Sequence, residues 1–468
     1  MIVTEIIQSV LGLLVTFSIL ITVHELGHYW VARFFGVHVL RFSVGFGRPI
    51  YRKVFGQEDL AEGLGDNEPQ VEPTEFVVSS IPLGGYVKFL DEREQNVPPF
   101  FLEQCYNRKN VWQRIAIAAA GPLANFVLAI FCYWLLFVTG ITGVSPVLGK
   151  IDSESLAWKS GLREGQKIVE VDYRRTFSWS DVNVRLLERL GETGEIEFTV
   201  LEKNSTLESV YSVPISDWLS SSDEPNPAVE LGLSLDMPEY TPKIGGMLAD
   251  GRAKSYGLEI GDEIKMIDGN SISSWKEFVK IVQLNPENEL ILELERSGVR
   301  KSLSIRPEAR DRNGKRIGFI GASPEPMEFP ESRLVLIKYS VFKSLEKAIE
   351  KTWDVIWFTL DAFKKMLEGV ISTKNLSGPI TIAQVANSSA ESGILSFISF
   401  IALLSVSLGV VNLLPIPMLD GGHLLYYFIE VVMGKPLPER VQAYAAQVGI
   451  FMLLGIMTIA IYNDISRL

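Results

Sequence analysis

The segment ITVHELGHYW, residues 21–30, places two histidines and a glutamate within five positions of one another. His24 and His28 are four residues apart, so on a helix both imidazoles project from one face and can hold a single divalent metal ion. Glu25 is rotated by about 100° from His24, so it can reach a water molecule at the metal without ligating it. The spacing therefore predicts a metal site with a general base beside it.

This segment lies inside a long apolar run, and that position decides between two interpretations. A pair of satisfied core histidines is a common feature of soluble helices. The chain has only four histidines, however, and ionisable side chains at membrane depth usually mark functional sites. The H-E-x-x-H spacing is the arrangement of zinc peptidases. We therefore expect Zn²⁺ held by His24 and His28, with Glu25 as the catalytic residue.

A catalytic zinc ion needs three protein ligands and an open fourth position, so another ligand must come from elsewhere in the chain. Asp420, in NLLPIPMLDGGH, is the preferred candidate because it follows an apolar segment that ends at the membrane depth of the histidine pair. Glu430 and His38 are less favoured. His423 remains a rival ligand because it lies only three residues from Asp420.

The composition limits the class of protein. The chain has 468 residues, with 44 Lys and Arg against 56 Asp and Glu, a formal net charge of −12 and no basic block. This balance argues against nucleic acid as a partner. The presence of only two cysteines excludes a disulfide scaffold and a zinc site built from thiolates. The mean hydropathy of +0.19 averages nearly pure apolar windows with ordinary polar domain sequence.

Four apolar segments approach the roughly 20 residues that a helix needs to cross a bilayer. The first has no basic residue before Arg33 and no cleavage pattern after it, so we expect a retained transmembrane helix and not a signal peptide. The chain divides into a first transmembrane helix with the H-E-x-x-H motif (1–35), a cytoplasmic or membrane-dipping β loop region (36–111), a second transmembrane helix (112–140), two extracytoplasmic domains (141–222 and 223–310), amphipathic membrane-surface helices (325–393), a third transmembrane helix (394–415), the segment with the LDG motif (416–440) and a fourth transmembrane helix (441–463).

Lys and Arg residues near the ends of the spans predict the orientation. They cluster after the first span and before the second, whereas the N-terminal side of the first span has none. The loop between these two spans is therefore expected to face the cytoplasm. Both termini and the long region between the second and third spans are expected to lie outside.

The outer region contains an internal repeat with an offset of 96 residues. Gly161 corresponds to Gly257 and Asp172 to Asp268, and strand-like alternation follows each copy. The repeated pattern resembles bacterial PDZ domains, which predicts two tandem α+β domains. The first copy departs from the pattern at Gln166, which stands where PDZ domains have Asp, so ligand binding is better supported for the second copy.

A segment rich in charged and aromatic residues follows the repeats, at 332–371. It is too charged to cross a membrane, and Trp353 and Trp357 suit the level of the lipid headgroups. We therefore expect an amphipathic helix on the outer membrane surface. The alternative is a helix packed against the repeat domains.

Three motifs, HELGH in the first span, GPLANF in the second and NLLPIPMLDGG after the third, resemble the site-2 protease family of intramembrane zinc metalloproteases. With two PDZ copies between the second and third spans, the layout is similar to the Gram-negative branch that regulates sigma-E. The resemblance covers essentially the whole chain. It implies a metalloprotease of the bacterial inner membrane with periplasmic PDZ domains, zinc held by His24, His28 and Asp420, and Glu25 as general base.

The resemblance also implies the partners. The substrates would be single-span membrane proteins: an anti-sigma factor already trimmed by a first protease, and remnant signal peptides. Both would be cut within the lipid bilayer. The PDZ domains could bind peptide ligands, or they could exclude substrates with bulky outer domains.

A transmembrane helix hides its peptide bonds in its own hydrogen bonds, so a substrate must unwind before it can be cut. The segments 40–53 and 74–90 each resemble a strand, a turn with glycine and a second strand. A free strand edge could pair with an unwound substrate, whereas the alternative is an ordinary cytoplasmic hairpin. The resemblance implies that Asn412 contacts the substrate backbone, and the other residues expected to contact the substrate are Gly84, Gly85, Asn125, Pro415 and Pro417.

Three other functions fit parts of the sequence. A membrane-anchored zinc peptidase acting on soluble peptides would carry its motif outside the apolar run. A non-enzymatic PDZ receptor with a structural metal would keep its function when Glu25 is replaced by Gln. A metal-coupled transporter is disfavoured because the four spans show no inverted repeat.

Overall fold

The computed structural model describes residues 2–55, 73–203, 205–220, 226–237, 240–248, 251–312, 315–325 and 329–467. In this part of the chain four helices are long and apolar enough to cross a membrane, over Ile7–Phe34, Val111–Thr139, Ile394–Leu413 and Glu439–Ser466. Two small α+β units lie between the second and third of these helices. The predicted fold class, a four-span membrane protein with two PDZ-like domains, is confirmed.

The described helices and strands follow one another along the chain from a long N-terminal helix to a long C-terminal helix. The helices are α1 (Ile2–Phe34), α2 (Val111–Thr139), α3 (Leu156–Lys159), α4 (Trp179–Glu188), α5 (Pro227–Leu231), α6 (Arg252–Ser255), α7 (Trp275–Leu284), α8 (Val341–Leu367), α9 (Pro379–Glu391), α10 (Ile394–Leu413), α11 (Asp420–Met433) and α12 (Glu439–Arg467). The strands are β1 (Val39–Phe55), β2 (Thr74–Phe89), β3 (Ile141–Val144), β4 (Lys167–Val171), β5 (Arg174–Arg175), β6 (Gly194–Leu201), β7 (Glu208–Ile215), β8 (Ile244–Met247), β9 (Glu263–Ile267), β10 (Asn270–Ser271), β11 (Leu290–Arg296), β12 (Val299–Ile305), β13 (Glu308–Arg312), β14 (Lys315–Phe319), β15 (Ala322–Pro324) and β16 (Leu334–Ile337).

The second membrane helix, α2, has clear signals at both ends. At its start the side chain of Asn110 accepts from the backbone N–H of Gln113, and the Gln113 side chain accepts from the backbone N–H of Asn110. This reciprocal capping satisfies two of the N–H groups that a helix start leaves free. Gly140, with φ of 98°, ends the helix in a conformation that other residues rarely adopt.

The helices α1, α2, α8 and α10 share one apolar cluster around the C-terminal half of α2. Ala129 and Ala402 are fully buried there, and such small residues let membrane helices approach closely. Ser405 of α10 donates its hydroxyl to the backbone carbonyl of Asn125 on α2 at 2.7 Å. This packing gives α2 a fixed position against its neighbours on both sides.

The last helix, α12, is attached to the rest through particular contacts. Asp464, near its C-terminus, accepts from the backbone N–H of Gly378 (2.9 Å) and from the hydroxyl of Thr381 (2.6 Å) at the start of α9. In the first half of α12, a Cβ on Gly449 would lie 2.3 Å from the carbonyl oxygen of Pro417, so the helix lies directly against that turn.

The strands β1 and β2 form one sheet in which each strand bends in its middle. Residues 39–44 pair with 85–89 on one side, residues 41–44 pair with 75–78 on the other, and residues 49–55 pair with 74–79. Gly45 and Gly47 both have φ of 91°, which permits the bend in β1. The segments 40–53 and 74–90, each expected to form a strand, a turn and a second strand, therefore pair with each other in one sheet. The segment 85–89 lies at one margin of this sheet.

The two repeats have the same topology. Their sheets have the orders β5-β4-β6-β7 and β10-β9-β11-β12, and each has its own hydrophobic core. The helices α4 and α7 begin after Ser178 and Ser274, whose side chains accept from the backbone N–H groups of Asp181 and Glu277. The repeated Ser-Trp pair thus starts the equivalent helix in both domains.

Both repeat domains extend beyond the boundaries expected from the sequence. Leu231 and Leu233 belong to the core of the first domain although they follow residue 222, and Leu148 pairs with Leu235. In the second domain Ile320 is part of the core and β15 pairs with β8. Each domain is closed by a segment that pairs with residues near its start, through an isolated bridge in the first domain and through β8 in the second, and this long-range pairing has no local sequence signal.

Helix α8 connects the first repeat domain to the membrane helices. Its Asp354 accepts from Arg174 at 2.7 Å and from Arg185 at 2.9 Å, both in the first repeat. Lys365, farther along α8, donates to Glu192 at 2.8 Å. The helix thus contacts the repeat domain. Such packing was the alternative to the expected location on the membrane surface.

Two faces of α8 carry different side chains. The face toward α2 is lined by buried residues, Ser344, Ala348, Thr352 and Val355. The opposite face exposes large apolar residues at helical spacing, Phe342, Leu345, Ile349, Trp353 and Trp357. The exposed stripe has the composition that suits contact with lipid headgroups.

Candidate metal site

Three side chains from distant parts of the chain converge between α1 and α11. Nε2 of His24 lies 3.1 Å from Oδ2 of Asp420, and Nε2 of His28 lies 3.5 Å from Oδ1. The two Nε2 atoms are 3.3 Å apart. Within the described ranges, no other group of three His, Cys, Asp or Glu residues brings its ligand atoms so close together.

The three side chains lie close enough to share one zinc ion. Ligands placed about 2.0–2.1 Å from such an ion lie about 3.3–3.4 Å from one another. The two imidazole nitrogens are 3.3 Å apart, their contacts with Asp420 at 3.1 and 3.5 Å go to different carboxylate oxygens, and one ligand atom from each residue lies within 4.8 Å of the other two. Two imidazole nitrogens and one carboxylate also leave a fourth position for water or substrate. The residues present therefore fit the metal expected from the sequence.

The helix α2 holds both imidazoles through their other ring nitrogen. Nδ1 of His28 donates to the backbone carbonyl of Ile117 at 2.8 Å. Nδ1 of His24 lies 3.2 Å from the side-chain amide of Asn125. Because Ile117 and Asn125 are eight residues apart, they lie on the same face of α2, with Gly121 midway between them.

Two glycines allow α1 and α2 to approach closely enough for these contacts. A Cβ on Gly121 would lie 2.3 Å from Nε2 of His28 and 2.7 Å from Nε2 of His24. A Cβ on Gly27 of α1 would lie 2.3 Å from the carbonyl oxygen of Ala120. Any side chain at either position would displace the histidine pair.

Asp420 reaches the histidines through the turn that follows α10. Met418 in that turn has φ of 82°, in the left-handed region. A Cβ on Gly421 would lie 2.1 Å from the carbonyl oxygen of Leu414, so the glycine of the LDG motif lets the start of α11 pack against the end of α10. Asp420 is the first residue of α11, where the helix dipole favours a carboxylate.

The far end of α11 is fixed to the base of α2. Arg114 and Glu430, both mostly buried, form an ion pair at 2.5 Å. The hydroxyl groups of Tyr106 and Tyr427 are 2.7 Å apart. Burial raises the pKa of Tyr106 well above its ordinary value, so its hydroxyl keeps its proton at neutral pH. These contacts fix the helix that begins with Asp420.

A cavity of about 1160 Å³ opens onto the three ligands. Glu25 lines it from α1, Asn412 from the end of α10, and Gly84 and Gly85 from β2. A Cβ on Gly85 would lie 3.0 Å from Cγ of Glu25, so the strand passes directly beside this carboxylate. The marginal segment of the sheet thus borders the candidate site.

Other residues expected at the site lie elsewhere. Asn125 is fully buried and contacts His24 but does not line the cavity. Pro417 lies against Gly449 of α12, and neither it nor Pro415 is among the residues that line the cavity. The structure therefore brings Asn412, Gly84 and Gly85 to the cavity, and leaves Asn125, Pro415 and Pro417 outside it.

The rival ligands do not join the group of three. His423 lines the cavity, but its ligand atoms lie outside the cluster of histidine and aspartate atoms. Glu430 is engaged by Arg114. His38 lies after the end of α1, where its backbone carbonyl accepts from Leu90.

The contacts of Gly27, Gly121 and the carbonyl of Ile117 were not expected from the sequence. A signal was present in the spacing, since Ile117, Gly121 and Asn125 recur every four residues and Gly27 stands between the two histidines. That spacing places three residues on one face of α2. It does not reveal that α1 is the helix which that face meets.

A sequence model of peptidase family M50 matches residues 12–456. The chain is 40% identical over 455 residues to the regulator of sigma-E protease RseP of Escherichia coli, covering 97% of this chain and 98% of that protein. It is 36% identical over 455 residues to the regulator of sigma E protease of Haemophilus influenzae, covering 97% and 98% of the two chains. It is also 36% identical over 466 residues to a putative zinc metalloprotease of Vibrio cholerae, covering 99% and 100%.

Among solved structures, the PDZ domain of an SdrC-like protein from Listeria monocytogenes matches 19% of this chain and 93% of that domain. The identity is 21% and the TM-score is 0.17.

Proposed function

The chain belongs to peptidase family M50, and from that premise we propose that this metalloprotease is an intramembrane zinc enzyme that hydrolyses peptide bonds within membrane-spanning segments. One observation carries the proposal. His24, His28 and Asp420 bring their ligand atoms within 4.8 Å of one another, beside Glu25, among helices apolar enough to cross a bilayer. The same residues in an aqueous lobe would favour a peptidase for soluble peptides.

The chemistry follows from the placement of the side chains. Zinc, when bound, supplies Lewis-acid polarisation of the scissile carbonyl and activation of water at neutral pH. His24, His28 and Asp420 would hold it. Glu25 accepts a proton from the attacking water and delivers it to the leaving amine, so no covalent intermediate with the protein is needed. The buried surroundings of the cavity strengthen each of these electrostatic interactions.

The marginal segment of β2 would hold the unwound substrate. Residues 85–89 pair with β1 on one side only among the described strands, and residues 84–89 line the cavity. A substrate strand added there would satisfy backbone groups that cost several kcal/mol each when left unpaired in lipid. The amide of Asn412, across the cavity, can both donate to and accept from such a strand.

We place the active site toward the cytoplasmic side of a bacterial inner membrane, with the repeat domains and both termini in the periplasm. The Lys and Arg residues on the loop between α1 and α2 support this orientation. The β1–β2 sheet lies on this side of the helices, because it connects the end of α1 to the start of α2. The repeat domains follow the opposite end of α2 and so lie across the membrane from it.

The proposed substrates are single-span membrane proteins, among them a trimmed anti-sigma factor and remnant signal peptides. Relatives from Escherichia coli and Haemophilus influenzae are named regulators of sigma E, and they match this chain over nearly its whole length. That likeness supports a role in an envelope stress response. A cavity reached at membrane depth supports substrates that are themselves embedded in the bilayer.

The decisive experiment uses the full chain purified in detergent, analysed for zinc and mixed with a single-span reporter. We expect Glu25→Gln to retain about one zinc per chain and to lose cleavage by about 10²- to 10⁴-fold, the usual contribution of a general base. Glu346→Gln is the control, because Glu346 is exposed on α8, where its ion pair is with Lys343. Cleavage by Glu25→Gln at the wild-type rate, or a wild-type chain without zinc, would refute the proposal.

The repeat domains would act on substrate access, either by binding peptide ends or by excluding large outer domains. A cavity of about 380 Å³ in the second domain, between α7 and the segment 317–322, offers space for a peptide. The backbone N–H of Ser145 donates to the carbonyl of Arg333 at 2.8 Å, so residues 146–332 can be replaced by a short linker. Faster cleavage of an untrimmed substrate by that variant supports exclusion, whereas slower cleavage of a trimmed one supports binding.

A further inference from the structure

The side chain of Asn125 lies fully buried beside one of the candidate zinc ligands. Its Nδ2 position is 3.2 Å from Nδ1 of His24. Its Oδ1 is buried and makes no hydrogen bond to any residue that the structure describes. Asn125 does not line the substrate cavity. An amide that is buried, points at a histidine and faces no substrate needs a role other than substrate contact.

The chemistry of zinc binding decides which amide atom should face His24. Nε2 of His24 points toward His28 and Asp420, so a metal there takes the Nε2 lone pair. The neutral ring must then carry its proton on Nδ1, where it needs an acceptor. The two orientations of an Asn amide differ only by exchange of Oδ1 and Nδ2, and the hydrogen-bonding partners determine which one is adopted.

We propose that Asn125 is a positioning residue for zinc: its Oδ1 accepts the Nδ1 proton of His24 and so holds the ring with Nε2 free for the metal. The inference rests on the proposed function, because it takes His24 to be a ligand. The second imidazole has the equivalent arrangement, since Nδ1 of His28 donates to the carbonyl of Ile117. One face of α2 therefore supplies an acceptor for each histidine.

A neighbouring contact holds the backbone of Asn125 in place. The hydroxyl of Ser405 on α10 donates to the backbone carbonyl of Asn125 at 2.7 Å. This bond holds α2 at that residue without touching His24. It therefore provides a matched control, because its removal perturbs the same buried helix contact and leaves the side-chain amide in place.

The test measures zinc affinity by competition with a chelator, on the full chain in detergent. Removing an outer hydrogen-bond partner of a metal-bound histidine typically weakens metal affinity by 10- to 100-fold, and we expect Asn125→Ala to weaken it by about that factor. Asn125→Asp keeps an oxygen acceptor in either protonation state, so it should bind zinc as tightly as the wild type or more tightly. Ser405→Ala should stay within about twofold of the wild type.

Each other outcome overturns the inference. Wild-type zinc affinity in Asn125→Ala excludes a positioning role, and a raised KM at that affinity assigns the residue to substrate binding. Weak binding in Asn125→Asp, which keeps an oxygen acceptor at this position, contradicts the role of Oδ1 as the acceptor for Nδ1. Equal weakening in Ser405→Ala assigns the effect to packing. A separate variant tests the proposed function on which the inference rests. If His24 is not a zinc ligand, His24→Ala will leave zinc affinity unchanged.

Discussion

Replacement of Gly121 by alanine adds one methyl group at the point where α2 lies beneath the candidate ligands. The added Cβ would lie 2.3 Å from Nε2 of His28 and 2.7 Å from Nε2 of His24. Ordinary contact begins at 3.4 Å, so His28 or the helix must move by about 1.1 Å, the difference between 3.4 and 2.3 Å. Zinc sites tolerate deviations of only about 0.2 Å in their ligand distances.

The magnitude of the effect on zinc follows from this displacement. Loss of an outer partner weakens metal binding by about 10- to 100-fold, and displacement of a ligand itself should cost more. We therefore expect Gly121→Ala to weaken zinc affinity by at least about 100-fold and to abolish cleavage. Global unfolding is not expected, because alanine gains about 1 kcal/mol over glycine in a helix while overpacking costs about 1–3 kcal/mol.

Zinc affinity is measured by chelator competition, and folding is checked by circular dichroism on the same sample. Gly455→Ala is the matched control, because Gly455 lies in the membrane helix α12 and a Cβ there meets nothing within 4 Å. It should bind zinc as the wild type does. A folded Gly121→Ala variant with zinc affinity within threefold of the wild type would refute the placement of the histidines against α2.

Two further changes test the substrate side of the cavity and the second repeat domain. Asn412→Ala should keep full zinc affinity but slow cleavage of a single-span reporter about 10- to 100-fold, because a substrate group left without a partner costs about 1–3 kcal/mol; equal loss of zinc would contradict a role in substrate binding. In the second repeat, burial raises the pKa of Asp262, but hydrogen bonds from Arg296, at 2.7 Å to each carboxylate oxygen, outweigh it and hold that pKa below its ordinary value. The folded pKa is thus below the unfolded value of about 3.9, so the stabilisation is complete above that pH and is lost as the pH falls through the folded pKa. Hydrogen exchange of β11 in the full chain should therefore be slower in the wild type than in Asp262→Asn at pH 6, and this difference should shrink below about pH 4; a constant difference would contradict the pair.

The candidate metal ligands could be proposed from the sequence because their signals are local and strong. H-E-x-x-H fixes two imidazoles on one helix face, and Asp420 follows a span that must end at the same depth. The four membrane helices were predicted because a bilayer sets their length and composition. In each case one physical constraint relates position in the sequence to position in space: helix periodicity sets the face on which a residue lies, and bilayer thickness sets its depth.

The remaining features depend on which elements touch, and spacing alone does not determine that. The domain ends at Leu235 and Pro324 became visible only through their pairing with Leu148 and Ile244, far earlier in the chain. Asn125 was assigned to the substrate because it stands in an apolar span near the site. Its burial against His24 depends on the approach of α1 to α2, which Gly27 and Gly121 permit.

The candidate metal ligands are held in place in two different ways. Both histidines lie on α1 and are held through Nδ1 by a single face of α2, so they keep their geometry as long as these two helices stay in contact. Asp420 instead begins α11, whose far end is fixed by the pair Arg114–Glu430. A metal bound by all three therefore joins α11 to the α1–α2 pair directly above the cavity. Zinc loading should consequently slow hydrogen exchange in the turn 414–419 more than in α2, because α2 is already held by its packing against α10.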